Sequence, residues 1–166
     1  IKVNPCLVDD NFYFNEDKRA KIRNELNLGN DEILVVFTSG GSADWQKNKE
    51  IIKIANKGLK IINLSMVEIN NDNIMTMFVP YIEVPSYLSA ADIAFIWRDN
   101  SLVNIVSSPV KFSEYIACGL PVLHNGTVDL INQITNNTFN GICIEHLDNL
   151  DVKQLKKIIS KRWYLN

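Results

Sequence analysis

Short runs of valine, isoleucine and leucine recur along this chain, each ended by a polar or glycine-containing break and followed by a segment of helical periodicity. The run at 33–38 is continuous instead of alternating, which marks a strand covered on both faces. Residues 59–64, 74–79, 92–97, 121–124 and 140–144 read the same way, with Pro80 stopping the third run. Helical segments are predicted at 16–28, 46–56, 84–90, 110–117, 128–135 and 151–162, and residues 99–108 read as a polar, irregular loop. Strands of about six residues alternating with helices of about ten imply βαβ units. Right-handed crossovers then give an α/β fold, a doubly wound parallel sheet of Rossmann-like type with helices on both faces.

Composition removes several function classes. The chain has 166 residues, 46% hydrophobic and 22% charged, which suits one globular domain. A net charge of −2 offers no positive field for nucleic acid. No apolar run approaches the roughly 20 residues of a spanning helix. The three cysteines, Cys6, Cys118 and Cys143, form no CxxC, so neither a zinc site nor a disulfide framework is expected. Residues 1–15 read as a connector whose Phe12, Tyr13 and Phe14 dock on the core, and 16–166 as the domain. The chain starts at Ile1, so it is expected to be a piece of something longer.

Ligands of doubly wound sheets sit beyond the carboxyl ends of the strands, and two loops there carry suitable chemistry. In the first, Gly40 and Gly41 allow close backbone approach, and Lys47 adds charge to a helix start that favours an anion. It is neither a Walker loop nor GxGxxG. In the second, Arg98 ends a strand, Ser107 and Ser108 precede Pro109, which suits a first helical position, and the helix carries Lys111 and Glu114 on one face. An arginine, serine hydroxyls and a helix start at one strand end point to a ligand with both anionic and hydroxyl groups. A surface salt bridge is the plainer alternative. His124, Trp45 and Trp97 are weaker candidates, and Cys118 reads as packing.

The run Ser108-Pro109-Val110-Lys111-Phe112-Ser113-Glu114-Tyr115-Ile116-Ala117-Cys118-Gly119-Leu120-Pro121-Val122 resembles the donor-binding segment of GT-B glycosyltransferases of the group 1 (family 4) type. Asn4-Pro5-Cys6-Leu7-Val8-Asp9, the 31–47 segment, Ala90-Ala91-Asp92 and Asn140-Gly141 resemble that family's other landmarks, in order. The match spans nearly the whole chain but only the family's C-terminal half. Two departures stand out. Val106 occupies the first place of the family's E-x7-E pair, and Ser42 the place of its phosphate-loop arginine, while Lys47 keeps the lysine.

The resemblance implies a donor-binding domain for a nucleotide sugar, one half of a two-domain GT-B hexosyltransferase. Its implied partners are that donor and a glycan or lipid-linked acceptor, with a role in bacterial surface polysaccharide synthesis. It implies Glu114 on the ribose hydroxyls, Lys47, Arg98 and Lys111 on the diphosphate, and Gly40, Gly41, Ser107 and Ser108 lining the ligand. Tyr81 would stack near the base. No metal or other cofactor is expected. Catalytic residues would lie largely in the other half, leaving this chain inactive alone. The location implied is cytoplasmic, with peripheral membrane association of a full-length enzyme. Two rivals stay open: half of a GT-B-type nucleotide-sugar epimerase, and a non-enzymatic receiver-like domain, which Asp92 at a strand start disfavours.

Overall fold

The computed structural model describes residues 6–39, 48–138 and 140–160. The strands are β1 (Leu34–Thr38), β2 (Lys60–Leu64), β3 (Ile74–Met77), β4 (Ile93–Ile96), β5 (Val122–His124) and β6 (Gly141–Cys143). They form one parallel six-stranded sheet in the order β3-β2-β1-β4-β5-β6. The helices are α1 (Glu16–Glu25), α2 (Asn48–Ala55), α3 (Val84–Ala90), α4 (Leu102–Ile105), α5 (Val110–Ala117), α6 (Asp129–Thr138) and α7 (Val152–Ile159). The winding direction reverses between β1 and β4, so the crevice between their carboxyl ends is the expected ligand position.

Alternation along each strand divides the core. Leu34, Val36, Ile62, Ala94 and Val122 pack with Ile22 of α1, Leu88 of α3, Tyr115 of α5 and Ile131 of α6. Val35, Phe37, Ile61, Phe95 and Leu123 pack with Ile51 and Ile54 of α2 and Leu155 of α7. Both faces are therefore covered, which is why the strands read as continuous apolar runs. Among the three aromatics of the connector, Phe12 is buried, Phe14 is half-buried and Tyr13 is exposed, so Tyr13 does not dock as expected.

Three local differences have clear causes. α4 occupies part of the expected irregular loop, because the Ser101 hydroxyl accepts from the Asn104 N–H and caps it. Pro109 is the cap residue of α5 and not its first helical residue. α1 stops at Glu25, short of the predicted 28, because Leu26 is already its cap, and it buries Arg23 together with Ile22.

Arg23 explains the Ala90-Ala91-Asp92 landmark. Asp92, just before β4, is buried and holds Arg19 at 2.6 Å and Arg23 at 3.1 Å. It also accepts from the Leu34 N–H at 2.8 Å. Arg19 donates onward to the carbonyls of Ser89, Ala90 and Ala91, and Arg23 to those of Ala90, Gly29 and Glu32. One buried carboxylate thus ties α1, the end of α3 and the amino ends of β1 and β4 together. It lies at the opposite end of the strands from the crevice, which removes it as a receiver-type phosphorylation site.

Glycine fits two of the remaining landmarks. Gly119 ends α5 at φ 68°, in the left-handed region. A Cβ on Gly141 would run into the Thr135 side chain and lie 2.9 Å from the Val122 carbonyl, so β6 packs against α6 only with glycine there.

Candidate functional site

α5 is anchored to the end of β1 by two side chains. Tyr115 is fully buried; its hydroxyl accepts from the Thr38 N–H at 3.2 Å and lies 2.7 Å from Thr38 Oγ1. One turn earlier, Lys111 Nζ donates to the Thr38 carbonyl at 2.6 Å. The helix start is thereby fixed over the crevice where the winding reverses.

Two cavities open there, and Val110 and Lys111 line both. The larger, of about 520 Å³, lies between α4 and α5 and is lined also by Arg98, Asn104, Ser107, Ser108 and Pro109. The smaller, of about 380 Å³, is lined by Thr38, Ser39, Ser65, Phe78, Val79, Tyr81 and Glu114 among others. The structure therefore brings Tyr81, Arg98, Ser107, Ser108, Lys111 and Glu114 to one place. Gly40, Gly41 and Lys47, together with Ser42 and Trp45, lie outside the described residues.

Each group is tuned by its surroundings. Glu114 is only 7% exposed, which departs from the plainer reading of a surface charge. Burial raises its pKa, while the Tyr81 hydroxyl, donating to Oε1 at 2.9 Å, and the nearby Lys111 charge act to lower it. Burial also lowers the pKa of Lys111, to about 8, with the Arg98 charge adding to the effect and Glu114 opposing it. Arg98 is itself buried, and desolvation lowers its pKa too. Two desolvated cations close enough to feel each other gain from an anion between them. Arg98 is placed by its backbone: Asn125 Nδ2 donates to its carbonyl at 2.6 Å and Thr127 Oγ1 at 3.1 Å.

The serines have partners of their own. Ser107 Oγ donates to the Asn104 carbonyl at 2.8 Å, and Cys6 Sγ lies 3.1 Å from the Ser108 carbonyl. Neither hydroxyl caps α5, which has no side-chain cap. One side of the Tyr81 ring packs on Phe12 with centroids 5.3 Å apart, and the residue is 52% exposed. His124 does not face the rim: it is buried, with Thr135 Oγ1 3.1 Å from Nε2 and the Gly126 N–H donating to Nδ1. Burial pushes its pKa down to about 4. Trp97 stacks on Phe95 within the core. Sequence reasoning missed Thr38, Asn125 and Thr127, whose partners are far away in the chain.

Solved structures of similar shape share this geometry's frame. WaaG, described as a glycosyltransferase involved in lipopolysaccharide biosynthesis, matches 95% of this chain at a TM-score of 0.62 and 14% identity. The C-terminal domain of a glycosyl transferase group 1 family protein, LpcC from Francisella tularensis, matches 96% at 0.56 and 16% identity. Anabaena Alr3699/HepE, solved with UDP-glucose, matches 95% at 0.53 and 14% identity. The fold is that of a GT-B glycosyltransferase domain. The chain spans 46% of the WaaG chain and 55% of the HepE chain, but 96% of the LpcC domain. No protein family's sequence profile and no curated protein matches this chain.

Proposed function

We propose that residues 16–166, entered through the connector 1–15, form the donor-binding domain of a glycosyltransferase that uses a nucleoside-diphosphate sugar. The observation that carries this reading is the placement of Lys111 and Glu114. A cation and a buried carboxylate stand one helical turn apart, with Lys111 on the wall between two cavities, at the switch point of the sheet. A nucleoside diphosphate has the matching pair of groups, an anion beside a cis-diol. The smaller cavity would take the nucleoside, with Glu114 accepting from ribose hydroxyls. The diphosphate would lie against Lys111 and Arg98, with Gly40, Gly41 and Lys47 completing its cradle. The larger cavity would take the glycosyl group beside Ser107 and Ser108.

In transfer, the bond between the anomeric carbon and the diphosphate oxygen breaks as an acceptor oxygen bonds to that carbon and loses its proton. Charge grows on the leaving diphosphate, and nearby cations stabilise it most in a desolvated site. Arg98 and Lys111, both desolvated beside the cavities, would supply those cations. A glycan or lipid-linked acceptor and the catalytic base would come from a second half. WaaG and HepE have chain beyond the part matched here. HepE was solved with UDP-glucose, which supports a nucleotide-sugar donor. A hexosyl donor, a cytoplasmic bacterial setting with peripheral membrane contact, and a role in surface polysaccharide synthesis belong to the same proposal. Among the described residues, no helix is long and apolar enough to cross a membrane.

Calorimetry with UDP, GDP, CDP and ADP, each in EDTA and in excess magnesium, tests the reading. One nucleotide should bind weakly, with similar affinity in both buffers, and this chain alone should show no sugar transfer. Absence of binding by all four would overturn it, and turnover by this chain alone would overturn the assignment of the catalytic parts to a second half.

A further inference from the structure

Tyr81 lies in a single 3₁₀ turn, Tyr81–Glu83, that follows Pro80 and leads into α3. Its ring leans on Phe12, which is only 4% exposed, so the hydroxyl is aimed from a fixed support. That hydroxyl reaches Glu114 Oε1, and among the described residues Glu114 Oε2 carries no hydrogen bond. Both side chains line the smaller cavity.

A carboxylate this buried needs help to stay ionised. The titratable groups that act on it are few. Lys111, Tyr115 and Cys118 come from its own helix and its end, Tyr81 from the turn after β3, and Asp9 from the segment before α1. Tyr81 and Lys111 favour the charged form, and Asp9 opposes it. Lys111 becomes neutral as pH rises through about 8, whereas Tyr81, raised to about 12 by burial and by Glu114, keeps its proton. Across the neutral range the hydroxyl is therefore a constant donor where the ammonium is a variable one.

We propose that Tyr81 is a positioning residue, whose hydroxyl holds the Glu114 carboxylate ionised and turned so that Oε2 is left to accept from a ligand hydroxyl. The ligand part of this proposal rests on the nucleotide-sugar reading. The link between Tyr81 and Glu114 does not.

Tyr81→Phe keeps the ring on Phe12 and removes only the donor. Carbon-13 NMR of glutamate side-chain carboxyls, with Glu114→Gln identifying the Glu114 signal, reads the link without any ligand. The Glu114 titration midpoint should move up in Tyr81→Phe, and an unchanged midpoint overturns the proposal. Affinity for the best-bound nucleoside diphosphate should fall by about three- to tenfold in Tyr81→Phe. The loss should grow toward acid pH and vanish in the Glu114→Gln background. An equal loss in that background means that Tyr81 acts on the ligand directly, which also overturns the proposal. If the unaltered protein binds no nucleotide, the donor reading fails, and the NMR midpoint still decides the role of Tyr81.

Discussion

Glu114 and Lys111 share a helix face but should be distinguishable by which part of a ligand each one meets. Glu114→Ala should weaken a ribonucleoside diphosphate far more than its 2′-deoxy analogue, because the deoxy ligand has already forfeited part of the same interaction. A hydrogen bond to a charged group contributes about 1.5–3 kcal/mol, so tenfold or more in affinity is expected. Lys111→Ala should weaken both ligands equally and reduce the salt dependence of binding. Equal costs of Glu114→Ala for ribo and deoxy ligands, measured by calorimetry, would sink the ribose assignment. The lowered pKa of Lys111 gives a pH test with a definite sign. A bound diphosphate favours the ammonium, so affinity should be fully present below pH 8 and fall as pH rises through about 8, where the free lysine loses its proton. Lys111→Arg should remove that decline, since arginine stays charged. A flat profile from pH 7 to 9 in the unaltered protein would show that Lys111 does not contact the anion.

Among the elements, the amino end of the sheet makes the clearest stability case. Asp92 pairs with both Arg19 and Arg23 and satisfies the Leu34 N–H. Removing one partner of a buried ion pair costs about 3–5 kcal/mol, because the other charge stays buried without its counterpart. Asp92→Ala should therefore lower the urea midpoint strongly, while exposed Asp148→Ala should leave it nearly unchanged. Similar midpoints for the two variants would refute the clamp. This clamp also shows where the sequence was legible and where it was not. β1 could be read from five consecutive residues because both of its faces are buried and no alternation is needed. Arg19 and Arg23 look like an exposed pair four residues apart, since their carboxylate lies about 70 positions downstream and leaves no local signal. Glu114 and Lys111 were visible as a local motif, but the burial of Glu114 comes from long-range neighbours such as Tyr81. α4 escaped notice because four residues are too few to show a period, and its apolar side chains point the wrong way. Leu102, Val103 and Val106 are 79%, 79% and 74% exposed, while Asn104 is buried and donates to the Asp99 carbonyl.

That inversion extends across the whole molecule. Met66 follows β2, Phe78 and Ile82 follow β3, and Leu102, Val103, Val106 and Val110 follow β4, all of them exposed and all beyond the carboxyl ends of parallel strands. Exposed apolar side chains gathered on one face of a domain mark a surface used for binding. On the proposed function, this rim is the wall that a bound donor and a second half would cover. A hydrophobic fluorescent dye should bind the present chain in the native state, and saturating nucleoside diphosphate should displace part of that signal, because Met66, Phe78, Val103 and Val110 of this rim line the two cavities. Serine at positions 102, 103 and 106 together should cut dye binding with little change in melting temperature, since these side chains bury little area on folding. A protein carrying both halves should bind little dye. If the triple variant instead unfolds at much lower temperature, Leu102, Val103 and Val106 belong to this domain's own packing, and the rim is not an open wall.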